Sequence, residues 1–228
     1  MVDKISIFDV AGPKMVGPSS SHTAGACKIG QFARALFHKT PRKVTFYLHG
    51  SFGEVYKGHA TDRALLGGVL KMKTSDPRIK KSFEIAKEKN IKYKFIVRDL
   101  GAKYHPNTVK IVLENRDNKM SVTGSSIGGG MIEIVRINEF DVLLKGRAGK
   151  YLSLVVSHKK DPKIVLEFIK KLKKLKINVA EIESTNYKKK TLSVLSLEGR
   201  RITLPEVIDL EKNTKGVDFV RALSKLPK

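Results

Sequence analysis

The residues best suited to chemistry lie in one segment near the start of the chain, residues 17–26, GPSSSHTAGA. A helical pattern follows this segment, so its serines are natural N-cap residues, and the free N–H groups of a helix N-terminus attract anions. His22 stands beside them and titrates near neutral pH, which makes it the candidate general base. An ordinary capped helix with a surface histidine is the alternative, but the neighbouring glycine, proline and histidine favour a site. The candidate contacts for a substrate carboxylate or phosphate are Ser19, Ser20, Ser21 and Thr23.

Later segments add weaker candidates. Residues 48–53, LHGSFG, and 57–62, KGHATD, connect a predicted strand to a predicted helix, and such loops commonly carry ligand contacts. Residues 105–108, HPNT, precede another strand. We expect Asp62 to cap the helix that follows it or to orient a nearby histidine; a capped turn without a ligand is the alternative. The substrate or regulatory contacts predicted from these segments are His59, Thr61, Asp62, His105 and Asn107.

Residues 124–130, GSSIGGG, are predicted to form a glycine loop between two strands. Glycines let the backbone approach a ligand closely, and their N–H groups can form an anion nest. A hairpin connection that needs unusual backbone angles is the alternative. The segment is not a Walker motif, because Met131 follows the last glycine.

The chain has one cysteine, Cys27, and this limits its redox and metal chemistry. A single cysteine excludes an intrachain disulfide and any all-cysteine metal site within the chain. The candidate histidines lie too far apart in sequence for the usual ligand spacing of a structural zinc site. We therefore expect no metal held by this chain alone, and we expect Cys27 to be a small buried helix residue.

The net charge of +23, from 45 Lys and Arg against 22 Asp and Glu, raises the question of nucleic-acid binding. The basic residues are spread along the chain, and the dense runs at 170–176 and 188–190 lack interleaved aromatics. No nucleic-acid-binding motif is visible, so we expect no nucleic-acid partner. No apolar run approaches the ~20 residues of a membrane span, and the start of the chain lacks a signal core. We expect a cytoplasmic protein with no membrane partner.

The pattern of elements predicts an α+β chain of two domains, residues 1–147 and 148–228, with a change of texture at 146–150. The first domain is predicted to be mixed α/β and of a substrate-binding type. The second is predicted to be a ferredoxin-like βαββαβ unit with a four-stranded sheet. Helices are predicted at 26–37, 60–70, 76–90, 161–176 and 204–213, and strands at 43–48, 93–98, 108–114, 131–137, 151–157, 179–185, 191–198 and 216–223.

Taken together, the segments GPSSSHTAGA, HGSF…KGHATD, HPNT and GSSIGGG resemble the β subunit of iron–sulfur-dependent L-serine dehydratases, in the family's order. The resemblance covers essentially the whole chain, because these subunits end in an ACT-like regulatory domain. It implies conversion of L-serine to pyruvate and ammonia by β-elimination. It also implies a four-iron–four-sulfur cluster held by cysteines of a partner α subunit, with an open iron acting as Lewis acid on the substrate hydroxyl.

The same resemblance assigns the base to His22 and the carboxylate contacts to the serines before it. It also implies that copies of the chain associate through the ACT-like domain. A non-catalytic, amino-acid-sensing ACT regulator is the alternative. Two positions depart from the family: Ala60 stands where His-Gly-Thr-Asp is usual, and Lys163 follows Pro162 where Pro-Gly is common. If the glycine needs a positive φ, Ala60 costs about 1 kcal/mol, and the second change argues against ligand binding by that loop.

Overall fold

A computed structural model describes residues 14–145 and 152–223 of the chain. These form two compact units: residues 14–138 and 142–145 belong to the first, and residues 139–141 and 152–223 to the second. The predicted boundary between residues 147 and 148 lies outside the described residues. The prediction of a mixed α/β chain with two sheets is confirmed.

The first unit is built on a six-stranded sheet in the order β2-β1-β3-β4-β5-β6. β1 pairs with β2 in parallel, whereas β1–β3, β3–β4 and β4–β5 are antiparallel. On one face of the sheet, alternate apolar side chains such as Phe46, Ile111 and Val122 are fully buried, as expected for strands covered by helices. The strands are β1 (Lys43–His49), β2 (Lys92–Val97), β3 (Thr108–Glu114), β4 (Lys119–Gly128), β5 (Met131–Ile137) and β6 (Phe140–Lys145).

The helices of the first unit begin with a π-helical turn, Ser20–Gly25, that runs directly into α1 (Ala26–Phe37). The apolar positions that predicted this helix are buried along one side of it. The predicted helix at 76–90 is divided into two: Asp76 caps a 3₁₀ helix through the N–H of Arg78, and α4 follows. The remaining helical segments are α2 (Ser51–Val55), α3 (Thr61–Val69), the 3₁₀ helix Pro77–Lys81 and α4 (Ser82–Glu88).

α1 and α3 cross at glycines, which lets their backbones touch. A Cβ added to Gly30 would lie 2.3 Å from the carbonyl oxygen of Leu65, and one added to Gly68 would lie 2.1 Å from that of Cys27. Both distances are far inside van der Waals contact, so the crossing requires glycine at both positions. Both helices begin at the segments that carry the candidate site residues.

The predicted glycine loop at 124–130 is wrong for most of its length. β4 continues through Gly128, and only Gly129 and Gly130 form the turn to β5. Both turn glycines have positive φ, 58° and 75°, as a tight hairpin requires. The hairpin alternative was therefore the better interpretation. The strands β4 and β6 and the short helix α2 were not predicted at all.

The second unit contains β7 (Leu152–Lys159), α5 (Pro162–Lys174), β8 (Ile177–Tyr187), β9 (Lys190–Gly199), α6 (Leu204–Lys212) and β10 (Val217–Leu223). This βαββαβ succession matches the predicted order, and the strands form a sheet in the order β10-β7-β9-β8 with antiparallel neighbours. Asp161 caps α5, and a capping box between Thr203 and Glu206 begins α6. Across the described ranges, none of the helices has the length and apolarity needed to cross a membrane.

Candidate active site

The π-helical turn positions His22. Ser19 is its N-cap: the Ser19 Oγ accepts the backbone N–H of His22 at 3.0 Å, and the Ser19 carbonyl accepts the N–H groups of Thr23 and Ala24 at 2.9 and 3.4 Å. Of the serine run that was predicted to cap the first helix, Ser19 alone is a cap, and it caps the π turn; Ser20 lies within that turn, and Gly25 is the N-cap residue of α1. Single π turns are rare and frequently occur at functional sites.

The His22 ring lies between two serine hydroxyls. Its Nε2 is 3.1 Å from the Oγ of Ser51, at the start of α2, and its Nδ1 is 3.4 Å from the Oγ of Ser19. The Phe52 ring packs against the imidazole at a centroid distance of 5.4 Å, and the His59 ring at 4.9 Å. The sequence-predicted candidates His22 and His59, 37 positions apart, are thus brought into direct contact.

Burial is the main cause that lowers the pKa of His22 below its ordinary value, and the neighbouring His59 lowers it further. A hydrogen bond with the backbone at Ser51 acts in the opposite direction. Desolvation penalises the charged imidazolium, and a second imidazole at close range disfavours another positive charge. His22 is therefore neutral at physiological pH, which is the state that a general base requires.

The segment before α3 closes one side of this site. The buried Thr23 hydroxyl donates to the carbonyl of His59 at 3.2 Å, which joins the π turn to this segment. The His59 Nδ1 and the Thr61 Oγ1 are both buried and have no hydrogen-bond partner within the protein. Buried polar atoms are normally satisfied, so these two unpartnered atoms, one of them on the ring that contacts His22, indicate a place for a polar ligand.

Asp62 does neither of the two things predicted for it. Ala60 is the N-cap residue of α3, and the Asp62 carboxylate accepts the N–H of the next residue, Arg63, at 2.7 Å. No hydrogen bond joins Asp62 to His59 among the described residues. Burial raises the pKa of the Asp62 carboxyl. The prediction of a capping or orienting role is therefore wrong, because the helix begins at Thr61, two residues earlier than a cap at Asp62 requires.

The HPNT segment reaches the site through its backbone. His105 is exposed, and its Nδ1 accepts the N–H of Asn107 at 3.0 Å, so its ring stabilises a turn. The Asn107 carbonyl accepts the N–H of Ser126 at 2.9 Å, and the Asn107 Oδ1 is buried without a partner. Ser126, fully buried on β4, packs against the π turn, since a Cβ added to Gly25 would lie 2.0 Å from its Oγ.

Two residues that belong to the site were missed by the sequence reasoning, Ser51 and Ser126. Both lie inside segments that were singled out in the sequence, HGSF and GSSIGGG. Serine is a common residue, however, and the sequence does not reveal contacts between distant segments. Ser126 Oγ is a further buried oxygen without a partner. Ser20 and Ser21, predicted to bind substrate, are half-buried and make no side-chain hydrogen bond within the described part of the chain.

Metal binding by this chain finds no support within residues 14–145 and 152–223, where no three His, Cys, Asp or Glu side chains are grouped as metal ligands would be. Cys27 is fully buried on α1, and its thiol donates to the carbonyl of Met72 at 3.5 Å. Burial raises its pKa to about 12, so the thiol stays protonated and does not offer a thiolate. The prediction that Cys27 is a buried helix residue is confirmed.

These features define a small polar-ligand site of the acid–base type: a neutral histidine, flanking hydroxyls and unpartnered polar atoms at the start of two touching helices. The serine dehydratase beta chain family matches residues 6–136 of the sequence. The chain therefore belongs to the serine dehydratase β chain family.

Individual relatives extend the similarity beyond the first unit. The L-serine dehydratase, beta chain, of Peptoniphilus asaccharolyticus is 42% identical over 214 residues, which cover 93% of this chain and 94% of the relative. The probable L-serine dehydratase, beta chain, of Bacillus subtilis is 41% identical over 193 residues, 85% of this chain and 86% of the relative. The L-serine dehydratase of Haemophilus influenzae is 33% identical over 152 residues, which are 33% of its own length.

Ala60, the departure from the family's usual glycine, adopts a left-handed conformation with φ 54° and ψ 29°. We expect Ala60→Gly to raise the free energy of unfolding by about 0.5–1 kcal/mol, because glycine enters this region without the Cβ penalty. Denaturant unfolding of the full chain measures it. Ala64→Gly, within the same helix, is the matched control and should lower stability by about 1 kcal/mol or more. Equal destabilisation by both changes would contradict the strain at Ala60.

Proposed function

We propose that this chain is the β subunit of an L-serine dehydratase and takes part in the β-elimination of L-serine to pyruvate and ammonia. Two observations support the proposal: membership of the serine dehydratase β chain family, and a neutral, partly buried His22 surrounded by hydroxyls and unpartnered polar atoms. The alternative of a non-catalytic amino-acid sensor gains no support, since the relatives described above are named as dehydratase chains.

In this reaction His22 is the proposed general base. It takes the proton from Cα of serine, the electron pair of the broken C–H bond forms the Cα–Cβ double bond, and the C–O bond breaks with loss of the hydroxyl. The aminoacrylate that results tautomerises to an imine, which water hydrolyses to pyruvate and ammonia. The neutral state of the ring suits this role at physiological pH.

Substrate binding is proposed for the polar atoms that the fold leaves without partners. We propose that Ser20 and Ser21, which are half-buried at the start of the π turn, hold the substrate carboxylate. The Thr61 Oγ1 and the His59 Nδ1 lie on the segment that contacts His22. They are the proposed hydrogen-bond partners of the substrate amine or hydroxyl. Asn107 is the contact from the HPNT segment, whereas exposed His105 acts through the turn that it stabilises.

A four-iron–four-sulfur cluster is implied by the family resemblance, and the residues of this chain do not fit it. Such a cluster needs several thiolates, and the one cysteine is buried, protonated and hydrogen-bonded to a carbonyl. We therefore propose that a partner α subunit holds the cluster and that this chain contributes the base and substrate contacts. The Lewis acid that would help the serine hydroxyl to leave is therefore assigned to that partner.

For residues 148–228 we propose an ACT-like domain that mediates association between copies of the chain. β8 lies at an edge of the described sheet and is largely exposed along its length. An unpaired strand edge is a ready surface for pairing with another strand. The exposed Ile182 in the middle of this strand adds an apolar contact.

We expect His22→Ala, assembled with the α subunit, to lose at least ~100-fold in turnover, the usual scale for removal of a general base. Pyruvate formation from L-serine under anaerobic conditions measures this loss, and iron content should be unchanged. His38→Asn is the control, because His38 is the exposed C-cap residue of α1 with φ 67°, and asparagine is among the residues enriched at positive φ. Near-normal turnover of His22→Ala would remove His22 from the mechanism.

The purified chain alone, treated anaerobically with iron and sulfide, should bind no stoichiometric iron and release no pyruvate. Addition of the α subunit should give a brown, active enzyme whose iron is counted per chain. Cys27→Ala should support the same iron content as the natural chain, because the thiol is not a ligand. Stoichiometric iron in the isolated chain would overturn the assignment of the cluster to the partner.

We expect Ile182→Lys to reduce the size of the assembly, because a lysine in an edge strand opposes strand pairing. Light scattering of the full chain, alone and with the α subunit, measures the mass. Leu166→Lys is the matched control: it also replaces an exposed apolar side chain, but on helix α5. An unchanged mass for Ile182→Lys would rule out association through this edge.

A further inference from the structure

The His22 imidazole has a hydroxyl facing each of its nitrogens, and the two hydroxyls differ in what they can offer. The Ser19 Oγ already accepts the backbone N–H of His22 at 3.0 Å. The proton of that hydroxyl remains available to Nδ1, 3.4 Å away. If the hydroxyl donates to Nδ1, this nitrogen is unprotonated, and the proton of the neutral ring resides on Nε2.

The other nitrogen completes the assignment. With a proton on Nε2, the ring donates to the Ser51 Oγ at 3.1 Å, the shorter and therefore stronger of the two contacts. We infer that Ser51 is a positioning residue that fixes His22 in its Nε2–H tautomer and makes Nδ1 the atom that receives the substrate proton. The identity of the transferred proton rests on the proposed function, whereas the assignment of the tautomer is independent of it.

The backbone around Ser51 is fixed by its neighbours, which positions the hydroxyl beside His22. It is the first residue of α2, and the preceding Gly50 has φ 52° and ψ −130°, a conformation that favours glycine. A Cβ on Gly50 would lie 2.9 Å from the Cα of Pro106, and the N–H of Phe52 points to the Pro106 carbonyl at 3.4 Å. The hydroxyl is therefore placed by packing against the HPNT segment before any substrate binds.

The charges around the ring are consistent with a tautomer set by hydrogen bonds. His59 is the titratable group that the neighbouring elements bring against it, and no carboxylate forms an ion pair with His22 within the described ranges. The hydrogen bond at the Ser51 backbone raises the pKa of His22, as expected where the ring is the donor, although burial and His59 outweigh it. Phe52 contributes an apolar wall and no charge.

The tautomer is tested directly by nitrogen NMR of the full chain labelled at histidine, with the His22 signals identified by their loss in His22→Ala. We expect a protonated Nε2 and an unprotonated Nδ1. Ser51→Ala should give a mixture of tautomers, whereas Ser51→Thr, which keeps the hydroxyl, should retain the single form. A proton on Nδ1 in the natural chain would overturn the inference. This measurement needs neither substrate nor the α subunit, so its outcome is independent of the proposed function.

The kinetic consequence is measured on the assembly with the α subunit. Ser51→Ala should lower kcat roughly tenfold with little change in KM, since the hydrogen bond positions the base and does not hold substrate. Loss of an acceptor for the ring N–H lowers the pKa of His22, so the acid limb of the kcat/KM profile should move to lower pH. Ser51→Thr should restore both values.

The control is Ser121→Ala, which changes a half-buried serine on β4 whose hydroxyl makes no hydrogen bond within residues 14–145 and 152–223. It should leave kcat and the pH profile unchanged. A rise in KM alone for Ser51→Ala would overturn the positioning role and make Ser51 a substrate contact. Loss of kcat without movement of the acid limb would overturn it as well, because a purely structural change alters rate without altering the titration of His22. Inactivity of the natural assembly toward L-serine would instead refute the proposed function and leave the tautomer result standing.

Discussion

The close crossing of α1 and α3 is the contact on which the site depends. Gly30 and Gly68 let the two backbones approach to a distance that any Cβ would prevent. Because both helices start at the site, this crossing sets the distance between their first turns. The Thr23–His59 hydrogen bond and the His22–His59 ring contact follow from it. A change that separated the helices would therefore act on the site without altering a single residue that touches substrate.

The environment of His22 differs from that of many catalytic histidines because hydroxyls, not a carboxylate, orient the ring. A carboxylate partner would raise the pKa and stabilise the imidazolium, whereas burial and His59 lower it. The arrangement keeps the proposed base neutral, and the lowered pKa makes the imidazole a weaker base. Such a site suits a substrate whose Cα proton is made more acidic by a group outside this chain, which agrees with the proposed division of the chemistry between this chain and a partner α subunit.

Local patterns in the sequence predicted the elements whose signals are periodic, and failed where a contact between distant segments decides the structure. Helix 26–37 and strand 108–114 are present because their buried faces repeat at the expected spacing. Residues 124–128 were predicted as loop because glycine is depleted in strands, yet Gly124 and Ser125 pair with strands on both sides, and β4 continues to Gly128 beside β5. Ser51 lies 29 positions from His22, and only the folded chain brings its hydroxyl to the ring.

The same burial that keeps His22 neutral makes the folded chain sensitive to acid. A histidine whose folded pKa lies below its unfolded value binds fewer protons in the native state, so stability falls as pH drops below the unfolded value of about 6.5. The loss of stability ends once the pH has fallen below the lowered pKa of the folded state. His158, buried on β7 and hydrogen-bonded to Ser193 at 2.9 Å, has its pKa lowered for the same reason. Both units therefore begin to lose stability as the pH falls below about 6.5, one through the proposed base and the other through a residue of its sheet.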